Sequence, residues 1–188
     1  AFSKDFMHKH NLPTARFKTF SNFEEAKKYT SRQLLPVVVK ASGLALGKVV
    51  VICQSHEESY EALENILVKK VFGEAGSLVL IEEFLVGPEI SIHALSDGKS
   101  FKIFPTSQDH KRIKDNDEVP NTGGMGTYTD VNHSLPFLTD ADITAASNFN
   151  KLVAEALEKE CEESYKGILY GGFIATKDGV KVIEYNAR

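Results

Sequence analysis

Side chains that bind cations and anions alternate at the C-terminal end of the sequence, in K-V-I-E-Y-N-A-R. In a β-strand this alternation places Glu184, Asn186 and Arg188 on one face, and Ile183 and Tyr185 on the other. A carboxylate beside an amide oxygen suits Mg²⁺, and an arginine can hold a phosphoryl or carboxylate oxygen in a bidentate fork. A solvated strand face has the same pattern, so the motif alone leaves both interpretations open.

A glycine-containing loop, V-V-V-K-A-S-G-L-A-L-G-K-V-V-V, joins two predicted strands. Gly43 and Gly47 allow backbone amides to turn toward phosphate oxygens, and Lys40 and Lys48 add positive charge. The loop is not a Walker A motif, because Val49 follows the second lysine and no helix is predicted after it. A simple β-hairpin turn remains the alternative.

The segment L-V-L-I-E-E-F-L-V-G-P-E-I-S is a strand that ends in two acids and an apolar pair. The backbone after such a strand can offer an acceptor and a donor to the edge of an adenine ring, and Glu89 can reach ribose hydroxyls. An ordinary strand exit has the same composition. The segment alone favours that simpler interpretation.

The stretch S-Q-D-H-K-R-I-K-D-N-D-E-V-P-N-T-G-G-M-G combines charges of both signs with a glycine-rich end. Asp109 to Arg112 supply an acceptor, an imidazole and two cations. Gly123 to Gly126 supply amides that side chains do not obstruct, which is a common way to bind phosphate. The charged residues from 114 to 118 are expected to form a solvated loop between these two groups.

Val- and Ile-rich segments predict strands, and amphipathic segments with capping residues predict helices. The helices begin at capping patterns such as Ser21-x-x-Glu24 and Ser55-x-x-Glu58. Asp97-Gly98 and Asp178-Gly179 predict tight antiparallel hairpins. The mixture of helices and hairpins predicts an α+β fold, with no regular element from 106 to 136. The predicted helices are 3–10, 21–34, 55–70 and 139–160, and the predicted strands are 36–40, 48–53, 77–84, 89–95, 101–105, 167–176 and 180–185.

The composition is that of a folded globular protein, with 42% apolar and 26% charged residues in a chain of 188. A net charge of −4 gives no general attraction to nucleic acid or to anionic lipid. Cys53 and Cys161 are far apart, which argues against a disulfide framework and favours the cytoplasm. No apolar run approaches the roughly 20 residues that span a bilayer, and no signal peptide is recognisable.

Taken together and in this order, K-A-S-G-L-A-L-G-K, I-E-E-F-L, Q-D-H-K-R, P-N-T-G-G-M-G and I-E-Y-N-A-R resemble the ATP-grasp domain of the glycinamide ribonucleotide synthetase (phosphoribosylamine–glycine ligase) family. The resemblance covers nearly the whole chain. It implies an ATP-grasp fold of two α+β lobes with mainly antiparallel sheets and the nucleotide between them. The smaller lobe, with the glycine loop, would lie in 1–86, and the larger lobe, with the substrate and Mg²⁺ site, in 87–188.

The resemblance also implies an activity, in which ATP phosphorylates glycine and the amine of phosphoribosylamine attacks the glycyl phosphate. Flanking domains of the same polypeptide are expected to contribute. ATP contacts are implied for Lys4, Lys40, Gly43, Gly47, Lys48, Glu82, Phe84, Leu85 and Glu89. Mg²⁺ or Mn²⁺ would be bound by Glu184 and Asn186. Catalytic contacts are implied for Arg188, Lys111, Arg112 and Asp109, and substrate contacts for Asp109, Lys111, Gly123, Gly124, Met125 and Gly126. His110 is assigned no role.

The sequence departs from the family pattern in its glycine loop, where Leu46 and Val49 replace smaller residues, and at Val119. These changes, and the contribution expected from flanking domains, leave two alternatives open. One is an ATP-grasp ligase that joins a different carboxylate and amine. The other is a degenerate ATP-grasp module that binds MgATP without ligase activity.

Overall fold

A computed structural model describes residues 1–43, 50–112 and 121–187 of the chain. Its α-helices are α1 (Phe2–Lys9), α2 (Phe23–Thr30), α3 (His56–Leu63) and α4 (Asp140–Cys161), and α3 continues into a π-helical turn at Glu64–Val68. Short 3-10 turns lie at Gly73–Ser77 and Val131–His133. The strands are β1 (Phe17–Phe20), β2 (Val37–Ala41), β3 (Val50–Cys53), β4 (Val79–Glu83), β5 (Glu89–Asp97), β6 (Phe101–Ile103), β7 (Gln108–Arg112), β8 (Asn121–Tyr128), β9 (Lys166–Thr176) and β10 (Gly179–Ala187). No helix in these ranges is long and apolar enough to cross a membrane.

One compact unit comprises Ala1–Asp5 and Ala15–Leu85. Its sheet has the strand order β1-β4-β2-β3, and every neighbouring pair is antiparallel. Val39 of β2 and Ile81 of β4 are buried in one apolar cluster with Leu63 of α3. The predicted β2, β3 and β4 are therefore confirmed, whereas β1 was missed because it is a short edge strand.

The helices of this unit begin at side chains that accept hydrogen bonds from the first turn. Ser55 Oγ accepts from the N–H of Glu58 at 3.1 Å, as the capping pattern predicts. The prediction of Ser21 as a cap was wrong, because Asn22 Oδ1 accepts from the N–H of Glu25 at 3.1 Å. Asparagine caps helices as well as serine does, so the adjacent position had an equally good candidate.

A second compact unit comprises Phe6–Thr14 and Val86–Arg188. Its main sheet has the order β10-β9-β5-β6, again with antiparallel neighbours. The apolar face of this sheet packs against α4, and its core includes the fully buried side chains of Ile92, Phe173 and Val182. Antiparallel sheets covered by helices confirm the predicted α+β class, while the division into lobes at 86/87 stays a prediction.

Two hairpins of this sheet have their turns at the positions that the sequence predicts. Gly98 lies between β5 and β6 with φ +89°, and Gly179 begins β10 with φ +104°. Side chains with a Cβ rarely adopt this region of φ, so glycine is the residue that the turns require. Both predicted hairpins are confirmed.

The expectation of no regular element from 106 to 136 was wrong, because β7 and β8 pair there as an antiparallel ribbon. His110 is opposite Gly126 and Arg112 is opposite Asn121, so four residues of β8 (122–125) and one residue of β7 (Lys111) lie between these two pairs. The glycine-rich segment is therefore a large bulge in a strand, not a separate turn. Its charged and glycine-rich sequence has no apolar alternation by which a strand could be predicted.

β10 contains a second irregularity, between Val182 and Glu184. The N–H of Val182 donates to Pro13 O and its carbonyl accepts from Thr14 Oγ1, both at 2.7 Å, so residues 13 and 14 cover this edge of the sheet. The bulge changes the alternation of side chains. Val182 and Tyr185, which are three residues apart, can therefore both pack in the core while Glu184 lies on the opposite face.

Gly171 of β9 lets α4 approach the sheet closely. A Cβ at this position would lie 2.4 Å from Asn150 Oδ1 and 2.7 Å from the Phe173 ring. We expect Gly171→Ala to lower the free energy of unfolding by about 1–3 kcal/mol, because overpacking forces neighbours out of place. Urea denaturation of the 188-residue chain measures the change. Gly126→Ala is the control, since a Cβ there meets nothing within 4 Å, and equal stability of the two variants would contradict the expectation.

Candidate functional site

Three charged residues meet in the first unit, and we call them the lysine–glutamate cluster: Lys4 of α1, Lys40 of β2 and Glu82 of β4. Glu82 Oε2 lies 3.2 Å from Lys4 Nζ and 3.0 Å from Lys40 Nζ. The Glu82 side chain is 4% exposed, that of Lys4 6% and that of Lys40 21%. Two cations therefore share one buried carboxylate, and the cluster carries a net positive charge when both lysines are protonated.

Burial governs the electrostatics of the lysine–glutamate cluster. Desolvation lowers the pKa of Lys4 below its ordinary value, although the charge of Glu82 and the hydrogen bond that Lys4 donates to it act in the opposite direction. Glu82 Oε1 is also buried and has no hydrogen-bond partner among the described residues. A buried carboxylate oxygen without a donor is costly, so this cluster is a site where a further donor or a cation would be stabilising.

The predicted adenine contacts follow directly after β4. Phe84 and Leu85 are both half-buried. The N–H of Glu83 donates to Arg16 O at 3.0 Å, where β1 and β4 are joined. The predicted adenine contact of Glu82 concerns its backbone. Its side chain has a different contact, because the carboxylate pairs with the two lysines.

The glycine loop begins where β2 ends. The N–H of Ser42 donates to Leu78 O at 2.8 Å, and the amino group of Ala1 donates to Ser42 Oγ at 2.8 Å. Gly43 follows and is exposed. Gly47 and Lys48 lie outside the described residues, so the predicted phosphate loop is only partly placed.

The second unit's sheet has one face that carries polar side chains. We call it the polar sheet face, and it is defined by residues of three strands: Ser91, Tyr170, Gly172, Glu184 and Asn186. Gly172 is opposite both Ser91 and Glu184, and Tyr170 is opposite Asn186. Directly opposite residues share a face in an antiparallel sheet. Glu89 of β5 follows the same alternation as Ser91 and is exposed.

Glu184 and Asn186 lie side by side, as the sequence predicts. Asn186 Nδ2 donates to Glu184 Oε1 at 3.1 Å. Glu184 Oε2 and Asn186 Oδ1 can then serve as oxygen ligands, and the exposure of Glu184 leaves room for water or phosphate. This donor set fits Mg²⁺, which is usually bound by one or two carboxylates together with water and substrate phosphates. Within 1–43, 50–112 and 121–187, no group of three or more His, Cys, Asp or Glu residues is arranged to hold a metal ion.

Asp109 of β7 is half-buried and points toward β5, with Oδ2 3.5 Å from Ser91 Oγ. The ribbon is also joined to β5 by Gln108, whose Nε2 donates to Glu89 O at 3.2 Å. The ring of His110 stacks on that of Tyr128, with 5.4 Å between centroids. Of the two residues in Asp109 to Arg112 whose side chains the structure describes, Asp109 is the one that contacts the polar sheet face.

The remaining predicted substrate residues are only partly placed. Gly123, Gly124, Met125 and Gly126 lie in β8, and the Met125 side chain is 60% exposed. The backbones of Lys111 and Arg112 lie in β7, but their side chains are beyond what the structure describes. Arg188 lies outside the described residues. Ser91 and Tyr170 were not predicted, although the alternation in E-I-S-I-H places Ser91 opposite the apolar face of β5.

The family described as phosphoribosylglycinamide synthetase, ATP-grasp (A) domain, matches residues 1–188. A phosphoribosylamine–glycine ligase from Streptococcus suis is 50% identical over 187 residues, which is 100% of this chain and 44% of that protein. The chain thus spans less than half the length of this relative.

The fold of this chain is also similar to those of solved structures. A phosphoribosylamine–glycine ligase from Thermotoga maritima has a TM-score of 0.84 at 34% identity, covering 98% of this chain and 46% of that one. A carboxyaminoimidazole ribonucleotide synthase from Aspergillus clavatus, complexed with ATP, has a TM-score of 0.71 at 15% identity, covering 97% of this chain and 42% of that one. The second likeness supports the fold alone. The predicted ATP-grasp fold is confirmed, and the chain belongs to the phosphoribosylglycinamide synthetase ATP-grasp (A) domain family.

Proposed function

We propose that this chain is the ATP-grasp domain of a longer ligase that joins glycine to phosphoribosylamine, giving glycinamide ribonucleotide, ADP and phosphate. The observation that carries the proposal is the 50% identity to a phosphoribosylamine–glycine ligase over the entire chain. The lysine–glutamate cluster and the Glu184–Asn186 pair support it, because they supply the charges that a reaction of anionic substrates needs.

The chemistry proceeds in two displacements. A carboxylate oxygen of glycine attacks the γ-phosphorus of ATP, and the bond from that phosphorus to the bridging oxygen of ADP breaks. The amine nitrogen of phosphoribosylamine then attacks the carbonyl carbon of glycyl phosphate, phosphate leaves and the nitrogen loses a proton. No protein nucleophile is required, so the chain's contribution is positioning and charge neutralisation.

Lys4 and Lys40 would bind phosphate oxygens of ATP, with Glu82 holding both ammonium groups in place. Glu82 also limits the positive charge of the cluster before a nucleotide arrives. The backbone at Phe84 and Leu85 would contact adenine, and Glu89 the ribose.

Glu184 and Asn186 would bind Mg²⁺, which would supply charge neutralisation at the phosphate oxygens. Asp109 would accept hydrogen bonds from an amino group of the substrates, with the backbone of Gly123 to Gly126 on the same ribbon. Arg188, Lys111 and Arg112 would stabilise the transferring phosphoryl group. Flanking parts of the longer polypeptide are proposed to complete the substrate sites, since the relatives are more than twice as long.

A substrate panel tests the proposal against another ATP-grasp ligase activity. ADP release by the longer polypeptide would be measured with MgATP, one of several small amino acids, and either phosphoribosylamine or a simple amine. We expect release above background only with glycine and phosphoribosylamine together. Faster release with another pair of substrates would assign a different ligase activity.

A further inference from the structure

Tyr170, Ser91 and Asp109 form a connected series of side chains in the second unit. Tyr170 Oη and Ser91 Oγ are 3.0 Å apart, and Ser91 Oγ lies 3.5 Å from Asp109 Oδ2. Ser91 and Tyr170 are 3% and 9% exposed. Burial of a hydroxyl group costs free energy unless the group is hydrogen-bonded. The contacts within the series supply such partners to both hydroxyl groups.

The direction of the hydrogen bonds follows from the number of protons. A serine hydroxyl has one proton, and an ionised carboxylate only accepts. If Ser91 donates to Asp109, Ser91 must accept from Tyr170, so the tyrosine hydroxyl is the first donor in the series. Two backbone hydrogen bonds between Ser91 and Ser107, of 2.7 and 2.9 Å, hold the start of the ribbon against β5.

The other end of the series lies beside the proposed metal ligands. Tyr170 is directly opposite Asn186. A Cβ on Gly172 would lie 3.3 Å from Glu184 Cγ, 3.4 Å from Tyr170 Cε1 and 3.5 Å from Tyr170 Oη, so the glutamate and the tyrosine pack over the same glycine. The edge of the ring also contacts His93, with centroids 5.0 Å apart. The tyrosine ring is therefore fixed on several sides.

We propose that Tyr170, acting through Ser91, is a positioning residue that holds Asp109 in the orientation needed to bind an amino group of the substrates. The same ring packs beside Glu184 and Asn186, so the orientation of the Asp109 carboxylate is coupled to the strand that carries the proposed metal ligands. This inference rests on the proposed ligase function and adds residues that neither the sequence motifs nor the proposed roles include.

Removal of the hydroxyl in Tyr170→Phe tests the inference in the longer polypeptide. We expect the KM for glycine or for phosphoribosylamine to rise about fivefold, because a hydrogen bond of this kind contributes about 1 kcal/mol. The KM for ATP should stay within about twofold, since no member of the series belongs to the lysine–glutamate cluster. Ser91→Ala should have the same effect, and the double variant should be no worse than either single variant, because all three break one series.

Tyr165→Phe is the matched control. Its hydroxyl donates to Ile168 O at 2.9 Å, so the same group is removed from the same unit without contact to Asp109. The inference is overturned if Tyr170→Phe and Tyr165→Phe have equal kinetic effects. It is also overturned if Tyr170→Phe raises every KM alike, or if the effects of Tyr170→Phe and Ser91→Ala multiply.

Crystal structures of the wild type and of Tyr170→Phe separate this inference from the proposed function. We expect one Asp109 conformation facing Ser91 in the wild type, and a carboxylate turned away from Ser91 in the variant. If the wild type ligates no pair of substrates, the proposed function fails. The positioning role is a separate claim, and it is overturned if the Asp109 carboxylate has the same conformation in Tyr170→Phe as in the wild type.

Discussion

Glu184→Ala is expected to lower kcat for glycinamide ribonucleotide formation by the longer polypeptide by about 100-fold or more. Metal-ion stabilisation of phosphoryl charge contributes several kcal/mol, and about 1.4 kcal/mol corresponds to a factor of ten. Asn186→Ala should have a similar effect, because Asn186 lies beside Glu184 and is the second proposed oxygen ligand. Phosphate release at saturating ATP, measured over a range of Mg²⁺ concentrations, tests both variants.

Glu155→Ala provides the matched control for this prediction. Glu155 is an exposed residue of α4 whose contact with Lys151 is 4.0 Å long, so the same substitution removes a surface carboxylate. Asn186→Asp keeps an oxygen at the ligand position and should retain more activity than Asn186→Ala, with a changed dependence on Mg²⁺. An active Glu184→Ala variant with a normal Mg²⁺ dependence would remove Glu184 from the metal site.

Glu82→Ala is expected to lower the free energy of unfolding of the 188-residue chain by about 3–5 kcal/mol, because removal of one member of a buried ion pair leaves a charge without a partner. Lys4 is that charge, with a side chain that is 6% exposed. Urea denaturation at pH 7 measures the effect. Glu83→Ala is the control, since Glu83 pairs with the 86% exposed Arg16, and a surface pair contributes about 1 kcal/mol or less.

The loss caused by Glu82→Ala should also depend on pH. Desolvation already places the pKa of Lys4 in the folded chain below its ordinary value. Between the folded and unfolded pKa values the unfolded state binds more protons, so stability rises with pH in that range. Without Glu82 the folded pKa is lower still, and the difference from the wild type should shrink when the pH is raised from 7 to about 9.5. An equal loss in Glu82→Ala and Glu83→Ala at both pH values would contradict the buried-charge account.

Local signals predicted most of the fold. Val- and Ile-rich composition identified β2, β4 and β5, and the turn sequences at Asp97-Gly98 and Asp178-Gly179 identified the hairpins. β7 and β8 could not be predicted in this way. Their strands form through pairing between segments with charged and glycine-rich sequences, and no local periodicity marks such a pairing.

The candidate site was predictable where its residues are adjacent in sequence. Glu184 and Asn186 share a strand, so alternation alone places them together. The joint pairing of Lys4 and Lys40 with Glu82 depends on strand order and on the position of α1, which no single segment reveals. Tyr170 was missed for a similar reason, because its contact with Ser91 of a neighbouring strand depends on strand pairing.

Phosphate release by the longer polypeptide, with the product identified by mass spectrometry, tests the central claim most directly. With MgATP, glycine and phosphoribosylamine all present, we predict one phosphate released for each glycinamide ribonucleotide formed. Omission of any one substrate should stop both. Phosphate release that continues without glycine or phosphoribosylamine, or no release with all three present, would contradict the claim that this chain is the ATP-grasp domain of a glycine–phosphoribosylamine ligase.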